Sequence, residues 1–356
     1  MRNANTRRPL YQEVRNRIAQ GIANGHYPVG SELPSIAEMN RLYAASPSTI
    51  ARVIELLRGE RLIRCSQGRR PRVRQTGRQR DCFRIAILLD TPDRNCVYDY
   101  TDGASTWLLH QKIMQRLLRD HHPVINLSYR YDWEAHCDHI DGVVALEARG
   151  ECRREPDKLR KYGIPCVKFA YFLPDPPASN TLTLDYAPAM AQIAIYFLSN
   201  GCKAVFINDL EYPENGAKSR TEALRQTLSG HGFPSERIFT RHFPPMQFTP
   251  DDLMEIRAYL LRTAGPVGIL TAGDMQTSQI LELAADCRLT LKKDFFVVGI
   301  SGLPESTRCN PVLSTIEIPF DNLADQIVNM LYQLLQNHVD EIASQLIPLR
   351  FAPRGT

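Results

Sequence analysis

Apolar and polar positions alternate with a helical period through the first part of the chain. Two stretches place apolar residues on one stripe of a helix: Leu10, Val14, Ile18 and Ile22, then Ile50, Val53, Ile54 and Leu57. Between them, Ser35 followed by Glu38 has the pattern of a capping box, which begins a short middle helix. Ser46 before Pro47 is the N-cap pattern of a third helix. The pattern therefore predicts three helices, the first ending near residues 24–25.

Two short basic segments follow the third predicted helix. Residues 61–65 and 72–74 mix apolar residues with arginine and flank a turn that contains Gly68 and Pro71. This pattern is typical of a two-stranded hairpin. Three helices and such a hairpin, called the wing, predict an α+β winged helix-turn-helix domain over residues 1–75.

Beyond a polar linker at residues 76–82, continuous apolar runs alternate with helical patterns. The runs, which predict strands buried on both faces, are residues 85–89, 124–127, 142–146, 166–170, 204–207, 267–270 and 295–300. The helical patterns cover residues 104–119, 187–199, 218–231, 251–264 and 276–287. This alternation predicts an α/β body with parallel sheets over residues 83–356. About 275 residues are many for one sheet, so two lobes are expected, with residues 182–185 near the boundary.

Charge separates the same two parts. Residues 1–80 contain 16 Arg, no Lys and 5 Glu, a net charge of +11, whereas residues 81–356 have a net charge of −7. A folded basic module of this size suits the phosphate backbone of double-stranded DNA, because neutralised phosphates release counterions. The alternative is a solvated basic tail, and the helical periods argue against it.

Several classes of protein find no support in the sequence. No apolar run reaches eighteen residues and no hydrophobic stretch follows the basic N-terminus, so a cytoplasmic protein without a membrane span is expected. The nine cysteines include no C-x-x-C pair, which predicts reduced thiols, most of them in the core, and no metal site. A nucleophile elbow and a phosphate loop are also missing. We therefore expect no enzyme activity and no cofactor.

The basic module resembles the GntR-type DNA-binding domain over residues 9–74. The matching pieces are Pro9-Leu10-Tyr11, Gly30-Ser31-Glu32-Leu33-Pro34-Ser35, Ser46-Pro47-Ser48-Thr49-Ile50, Leu56-Leu57, Leu62-Ile63 and Gly68. The resemblance implies that the third helix enters the major groove and that the wing reaches the minor groove. Ala37, Pro47 and Arg61 depart from the family pattern, so the operator sequence is not carried over.

Nine residues are the candidate DNA contacts, by hydroxyl, backbone or guanidinium groups. They are Ser35, Ser46, Ser48, Thr49, Arg52, Gly68, Arg69, Arg70 and Arg72. The alternative for Arg52 and for any one wing arginine is a merely solvated side chain.

The acidic body resembles the LacI/GalR effector domain, which is itself similar to periplasmic sugar-binding proteins. The resemblance is carried by the order of Arg84-Ile85-Ala86, Asp141-Gly142-Val143-Val144, Gly163-Ile164-Pro165, Asp185, Gly201-Cys202-Lys203, Ser219-Arg220-Thr221, Ala272-Gly273-Asp274, Val297-Val298-Gly299-Ile300 and Pro311-Val312-Leu313. It implies a ligand between two lobes, at the carboxyl ends of the strands.

Residues expected at those strand ends are the candidate effector contacts. They are Asp90, Tyr129, Tyr131, Glu147, Tyr171, Asp209, Arg220 and Asp274. Arg220 is the strongest of them, because the matching family position contacts the effector and a guanidinium offers forked donors. An interlobe ion pair is the alternative for Arg220, and a helix N-cap is the alternative for Asp274.

These expectations combine into a ligand-responsive, homodimeric transcription regulator, more often a repressor in the resembling family. The effector expected from the resemblance is a sugar or a related metabolite, although Gly273, Ser301 and Gly302 replace polar residues of the family. Three alternatives stay open. They are a sugar-binding transport component, a small-molecule enzyme, and a GntR-type protein with an unrelated sensor fold.

Overall fold

The fold was taken from a computed structural model. It describes residues 9–60, 62–65, 69–73, 82–89, 104–129, 133–146, 155–171, 178–209, 221–243, 247–336 and 341–356. The N-terminal part comprises α1 (Leu10–Ala23), α2 (Ile36–Tyr43), α3 (Pro47–Gly59), β1 (Ile63–Arg64) and β2 (Arg72–Val73). The two strands pair antiparallel, so the predicted three helices and wing are confirmed.

Side-chain caps begin two of these helices where the sequence placed them. In the capping box of α2, the Glu38 N–H donates to Ser35 Oγ at 3.3 Å and the Ser35 N–H donates to Glu38 Oε2 at 2.6 Å. At α3, Ser46 Oγ accepts the Thr49 N–H at 3.2 Å. Each cap satisfies a backbone donor that the first helical turn leaves unpaired.

One hydrophobic cluster joins the three helices to the wing. Its buried members are Val14, Ile18, Ile22, Leu33, Met39, Ala45, Ile50, Val53, Leu57, Ile63 and Val73. Two positions of the predicted stripes differ: Leu10 is 46% exposed and Ile54 is half-buried. Leu10 is the first residue of α1, where the helix has only begun to face the core.

The wing has a third strand-like segment that the sequence pattern did not indicate. Glu32 bridges antiparallel to Arg72, and the Leu33 N–H donates to the Pro71 carbonyl at 2.7 Å. The Val73 N–H likewise donates to the Ser31 carbonyl at 2.9 Å. These bonds fix the segment before α2 to the wing.

The body contains seven helices and twelve strands within the described residues. The helices are α4 (Ala104–Arg119), α5 (Glu155–Lys158), α6 (Ala187–Ser199), α7 (Glu222–Gly230), α8 (Pro250–Arg262), α9 (Asp274–Asp286) and α10 (Phe320–Gln336). The strands are β3 (Ile85–Leu89), β4 (Val124–Ser128), β5 (Gly142–Leu146), β6 (Cys166–Ala170), β7 (Thr181–Asp185), β8 (Ala204–Asn208), β9 (Ile238–Arg241), β10 (Val267–Leu270), β11 (Phe295–Ser301), β12 (Ser314–Glu317), β13 (Gln345–Pro348) and β14 (Arg350–Ala352).

These strands form two six-stranded sheets, one in each lobe. The order is β13-β7-β6-β5-β3-β4 in the first lobe and β14-β12-β11-β10-β8-β9 in the second. All neighbours are parallel except β12 and β14. The predicted α/β body with two lobes and parallel sheets is therefore confirmed.

The chain passes between the lobes three times. It crosses after β7, again between β12 and α10, and finally between β13 and β14. Helix α10 follows a strand of the second lobe but packs on α4, β5 and β6 of the first. The two lobes are therefore joined by three covalent connections.

The expected burial was wrong at one strand. Strand β4 was expected to be buried on both faces, but it lies at the edge of its sheet and Ile125 is 39% exposed. Among the described cysteines, Cys137, Cys166 and Cys202 are buried, and Cys65 is half-buried against the hydrophobic cluster of the winged domain. Cys287 and Cys309 are also half-buried, and Cys82 is exposed. Within the described part of the chain, no helix combines the length and apolar character needed to cross a membrane.

Candidate nucleic-acid interface and interlobe cleft

Three hydroxyl groups meet at the N-terminus of α3. Ser46 Oγ lies 2.9 Å from Ser48 Oγ and 2.8 Å from Thr49 Oγ1, and both serines are exposed. The first turn of a helix also presents unpaired N–H groups and the positive end of the helix dipole. This cluster is thus suited to an anionic oxygen such as that of a phosphate.

Arg52 lies one turn farther along α3 and is held against α1. Its guanidinium carbon is 4.1 Å from the centroid of the Tyr11 ring, and the side chain is exposed. Stacking on a ring orients the guanidinium plane while its N–H groups stay available at the edge. The structure therefore gives Arg52 a defined orientation.

The wing arginines face two glutamates. Arg70 Nη1 lies 3.4 Å from Glu38 Oε2, and Arg72 Nη2 lies 3.1 Å from Glu32 Oε1. Hydrogen bonds from the Ser35 backbone and side chain lower the pKa of Glu38, which keeps its carboxylate ionised. Arg70 and Arg72 are thus both in ion pairs.

The other three predicted DNA contacts have different surroundings. Ser35 is half-buried because its hydroxyl caps α2, and Arg69 is exposed. Gly68 lies outside the described residues.

One hydrogen bond between hydroxyl groups joins the two lobes. Ser105 in the first turn of α4 donates to Ser301 Oγ, the last residue of β11, at 2.8 Å. Ser301 has a φ of 121°, and such strain is concentrated at functional sites. Beside it, Thr106 donates to the hydroxyl of Tyr171 at 3.3 Å, directly after β6. The predicted cleft therefore has a polar rim with contributions from both lobes.

The predicted aromatic contacts differ in their placement. Tyr171 lies at this rim, 8% exposed, with its ring 4.9 Å from that of Phe169. Tyr129 is 4% exposed and belongs to a hydrophobic cluster with Trp133 and Cys137. Both tyrosines thus belong to hydrophobic clusters, and Tyr171 also accepts the hydrogen bond from Thr106. Four further candidates, Asp90, Tyr131, Glu147 and Arg220, lie outside the described residues.

Asp209 is enclosed by groups of its own lobe. It is 2% exposed, accepts the Thr221 hydroxyl at 2.6 Å, and lies 3.7 Å from Arg225 Nη2. Arg225 also donates to Thr221 Oγ1 and to Thr240 Oγ1, each at 3.0 Å. The cluster fixes the start of α7 against the ends of β8 and β9. Thr221, Arg225 and Thr240 were not among the residues predicted from the sequence; only the four-residue spacing of Thr221 and Arg225 could have indicated this cluster.

Asp274 connects three elements beneath the cleft. Its Oδ1 accepts the Thr315 hydroxyl at 2.6 Å and its Oδ2 accepts the Leu303 N–H at 2.9 Å. The alternative of a helix N-cap is wrong, because Gly273 occupies the cap and Asp274 is the first helical residue. Burial raises the pKa of Asp274 to about 6, and the bond from Thr315 opposes that rise.

This raised pKa predicts a pH-dependent stability. The folded protein binds a proton at Asp274 more tightly than the unfolded chain, so the ionised carboxylate is least favourable above pH 6. Its cost should be relieved as the pH falls from 7 towards 4. We expect the difference in melting temperature between the wild type and Asp274→Asn to shift in favour of the wild type as the pH is lowered from 7 to 5. Circular dichroism would measure both melting temperatures. The control Asp286→Asn removes a charge from the exposed end of α9, and a parallel trend in both variants would contradict the prediction.

Two family models match separate parts of the chain. Residues 10–73 match the gntR family of bacterial regulatory proteins. Residues 194–356 match the periplasmic binding protein-like domain. The chain therefore joins a GntR-type helix-turn-helix domain to a periplasmic-binding-protein-like body. A comparison with curated proteins gave no match.

Three solved structures that share the fold of the body are described as LacI family regulators or the lac repressor. A LacI family transcriptional regulator from Enterococcus faecium with bound ribose is 19% identical, with a TM-score of 0.59, over 76% of this chain and 97% of that one. A regulatory protein of the LacI family from Chloroflexus aggregans is 15% identical, with a TM-score of 0.60, over 77% and 98%. The lac repressor dimer bound to operator and the anti-inducer ONPF is 13% identical, with a TM-score of 0.61, over 78% and 95%. At these identities the likeness establishes the fold.

Proposed function

We propose that this chain, a GntR-type winged helix-turn-helix domain joined to a body with the LacI-type effector fold, is a ligand-responsive transcription repressor. Its operator affinity would change when a small molecule binds between the two lobes. The observation that carries the proposal is the covalent union of an arginine-rich winged domain with a two-lobed body whose strand ends meet across a polar cleft.

The proposed mechanism is thermodynamic linkage between the two sites. A ligand shifts DNA affinity only as far as its own affinity differs between the DNA-competent and incompetent conformations. The bond between Ser105 and Ser301 joins the lobes in the conformation described here. A ligand that replaces this bond with its own hydroxyl groups would couple occupancy of the cleft to the arrangement of the lobes.

The proposed assembly is a homodimer. One recognition helix and one wing contact few base pairs, and two-fold operators are bound by two-fold proteins. The lac repressor structure is described as a dimer on its operator, which supports the same arrangement for this chain.

The proposed effector is a sugar or a related metabolite. Hydroxyl groups of Ser105, Thr106, Tyr171 and Ser301 at the cleft rim can exchange hydrogen bonds with a polyol. The regulator crystallised with ribose supports this class of ligand. Arg220 remains the proposed anchor, since a guanidinium gives forked donors to hydroxyl or carboxylate oxygens.

The alternatives are less well supported. A sugar-binding transport component does not explain the winged domain or the net charge of +11 in residues 1–80 of this chain. An unrelated sensor fold is wrong, because the body has two parallel-sheet lobes. An enzyme would need a catalytic group that the motifs of this sequence do not supply.

A salt titration of binding to double-stranded DNA tests the proposed function. If six or more phosphates are neutralised, the affinity should fall by roughly a thousandfold or more between 50 and 200 mM NaCl. Fluorescence anisotropy of a labelled duplex would measure the slope. Binding that is absent, or independent of salt, would contradict the proposal.

A thermal-shift screen of the full chain against monosaccharides tests the effector site. A ligand that binds only the folded protein raises its melting temperature, and Arg220→Ala should abolish that rise while DNA binding is unchanged. Arg257→Ala, an exposed arginine of α8, serves as the control and should keep the shift. A shift retained in Arg220→Ala would reject the proposed anchor.

A further inference from the structure

Two glutamates lie among the residues proposed to contact DNA. Glu32 forms an antiparallel β-bridge with Arg72 of the wing strand β2, and Glu38 lies in the first turn of α2. Each faces one of the wing arginines, at 3.1 Å for Glu32 and Arg72 and 3.4 Å for Glu38 and Arg70. Two of the five glutamates in residues 1–80 are thus paired with wing arginines.

Three of these four side chains line one open groove on the winged domain, and Arg72 pairs with Glu32 beside it. Glu32, Glu38, Arg41 and Arg70 line it, and its volume is about 530 Å³. The four side chains of the two ion pairs are between 43% and 52% exposed. Exposed pairs of this kind are weak, so a competing anion can displace the carboxylate.

A guanidinium that is paired with a carboxylate does not neutralise a phosphate. A nonspecific complex, held only by the DNA backbone, must therefore bind without these two arginines or expel two carboxylates from its interface. A carboxylate left beside a phosphate is unfavourable because the two charges have the same sign. Both effects weaken binding to duplexes that the wing does not engage closely.

We propose that Glu32 and Glu38 are specificity-determining residues, which hold Arg72 and Arg70 in ion pairs that only a closely engaged duplex displaces. The inference rests on the proposed function in DNA binding. It assigns to the glutamates the suppression of nonspecific affinity, which matters because competing sites far outnumber any operator.

The variants Glu32→Gln and Glu38→Gln, singly and together, test this proposal. Glutamine at position 38 keeps an oxygen that can accept the Ser35 N–H, so the capping box is retained. The probe is a fluorescent 24-base-pair duplex of random sequence, titrated with the full chain at several NaCl concentrations. We expect the double variant to bind about tenfold more tightly at 100 mM NaCl. Its slope of log K against log salt should steepen by about 2, one unit for each released arginine.

Matched controls separate this local effect from a change in net charge. Glu13→Gln removes one exposed carboxylate from α1 of the same domain and should leave the slope unchanged. In an Arg72→Gln background, Glu32→Gln should lose its effect on the slope, because the guanidinium that it would release is gone. Thermal unfolding of each variant checks that the winged domain stays folded.

The outcomes are distinguishable. If the double variant has the affinity and slope of Glu13→Gln, the glutamates do not restrain the wing arginines and the inference is overturned. If the wild type itself binds no duplex in a salt-dependent way, the proposed function fails first. An effect of Glu32→Gln that persists without Arg72 would also overturn the pairing.

Discussion

Alanine at position 299 should destabilise the second lobe by about 3 kcal/mol or more. Gly299 is buried in β11, where an added Cβ would lie 2.3 Å from Asp274 Oδ1, 2.8 Å from Thr277 Oγ1 and 3.2 Å from the Asp274 Cα. The carboxylate cannot move away cheaply, because both its oxygens accept hydrogen bonds from Thr315 and Leu303. Urea denaturation followed by fluorescence would measure the loss.

Gly230→Ala is the matched control in the same lobe. Gly230 is the last residue of α7, its φ is not positive, and an added Cβ would meet no heavy atom within 4 Å. Alanine there should be neutral or stabilise the protein by about 0.5 kcal/mol, since it restricts the unfolded chain. A Gly299→Ala protein that unfolds at the wild-type urea concentration would show that Asp274 is not held against β11.

The core strands and most helices could be predicted because their signals are local. Strands β3, β5, β8 and β11 are buried on both faces, and a continuous apolar run is the direct consequence. The edge strand β13 gives no such run: it buries only Ile347, so its four residues carry too little pattern. Helix α10 was missed although its buried residues recur at helical spacing, and a complete scan of the period would have found it.

In the candidate sites, too, local features could be predicted from the sequence and contacts between distant residues could not. The hydroxyl cluster of α3 was predictable since Ser46, Ser48 and Thr49 are neighbours in one helical turn. The N-cap alternative for Asp274 could not be excluded from the local pattern, because the partners of its carboxylate, Leu303 and Thr315, lie 29 and 41 residues away.

The ion pairs of the wing arginines also join residues that are distant in the sequence. The pair of Glu32 with Arg72 spans 40 residues and depends on the third segment of the wing. Arg70 and Arg72 were predicted as DNA contacts from their place in the wing and from the GntR resemblance, and the tertiary fold adds the carboxylates that pair with them.

Glutamate at position 48 should separate folding from DNA binding. Ser48 is exposed in the first turn of α3, where a carboxylate interacts favourably with the helix dipole by about 0.3–1 kcal/mol. The same charge would face the phosphates that this turn is proposed to bind, and its hydroxyl contact would be lost. We expect Ser48→Glu to melt at or above the wild-type temperature while its affinity for duplex DNA falls on the order of 30-fold at 100 mM NaCl.

Two further variants make the Ser48→Glu result specific to charge and place. Glutamine is nearly the same size as glutamate but carries no charge. Ser48→Gln should therefore lose only the hydroxyl contact, which would lower the affinity for DNA a few-fold. Gln20→Glu adds the same charge to the exposed surface of α1 and should weaken binding less than Ser48→Glu, because screening reduces the effect of distant charges. Anisotropy titrations of the three variants on one duplex give the ranking. Equal affinities of Ser48→Glu and Gln20→Glu would mean that the N-terminus of α3 does not approach the DNA, since only proximity to phosphates distinguishes the two positions.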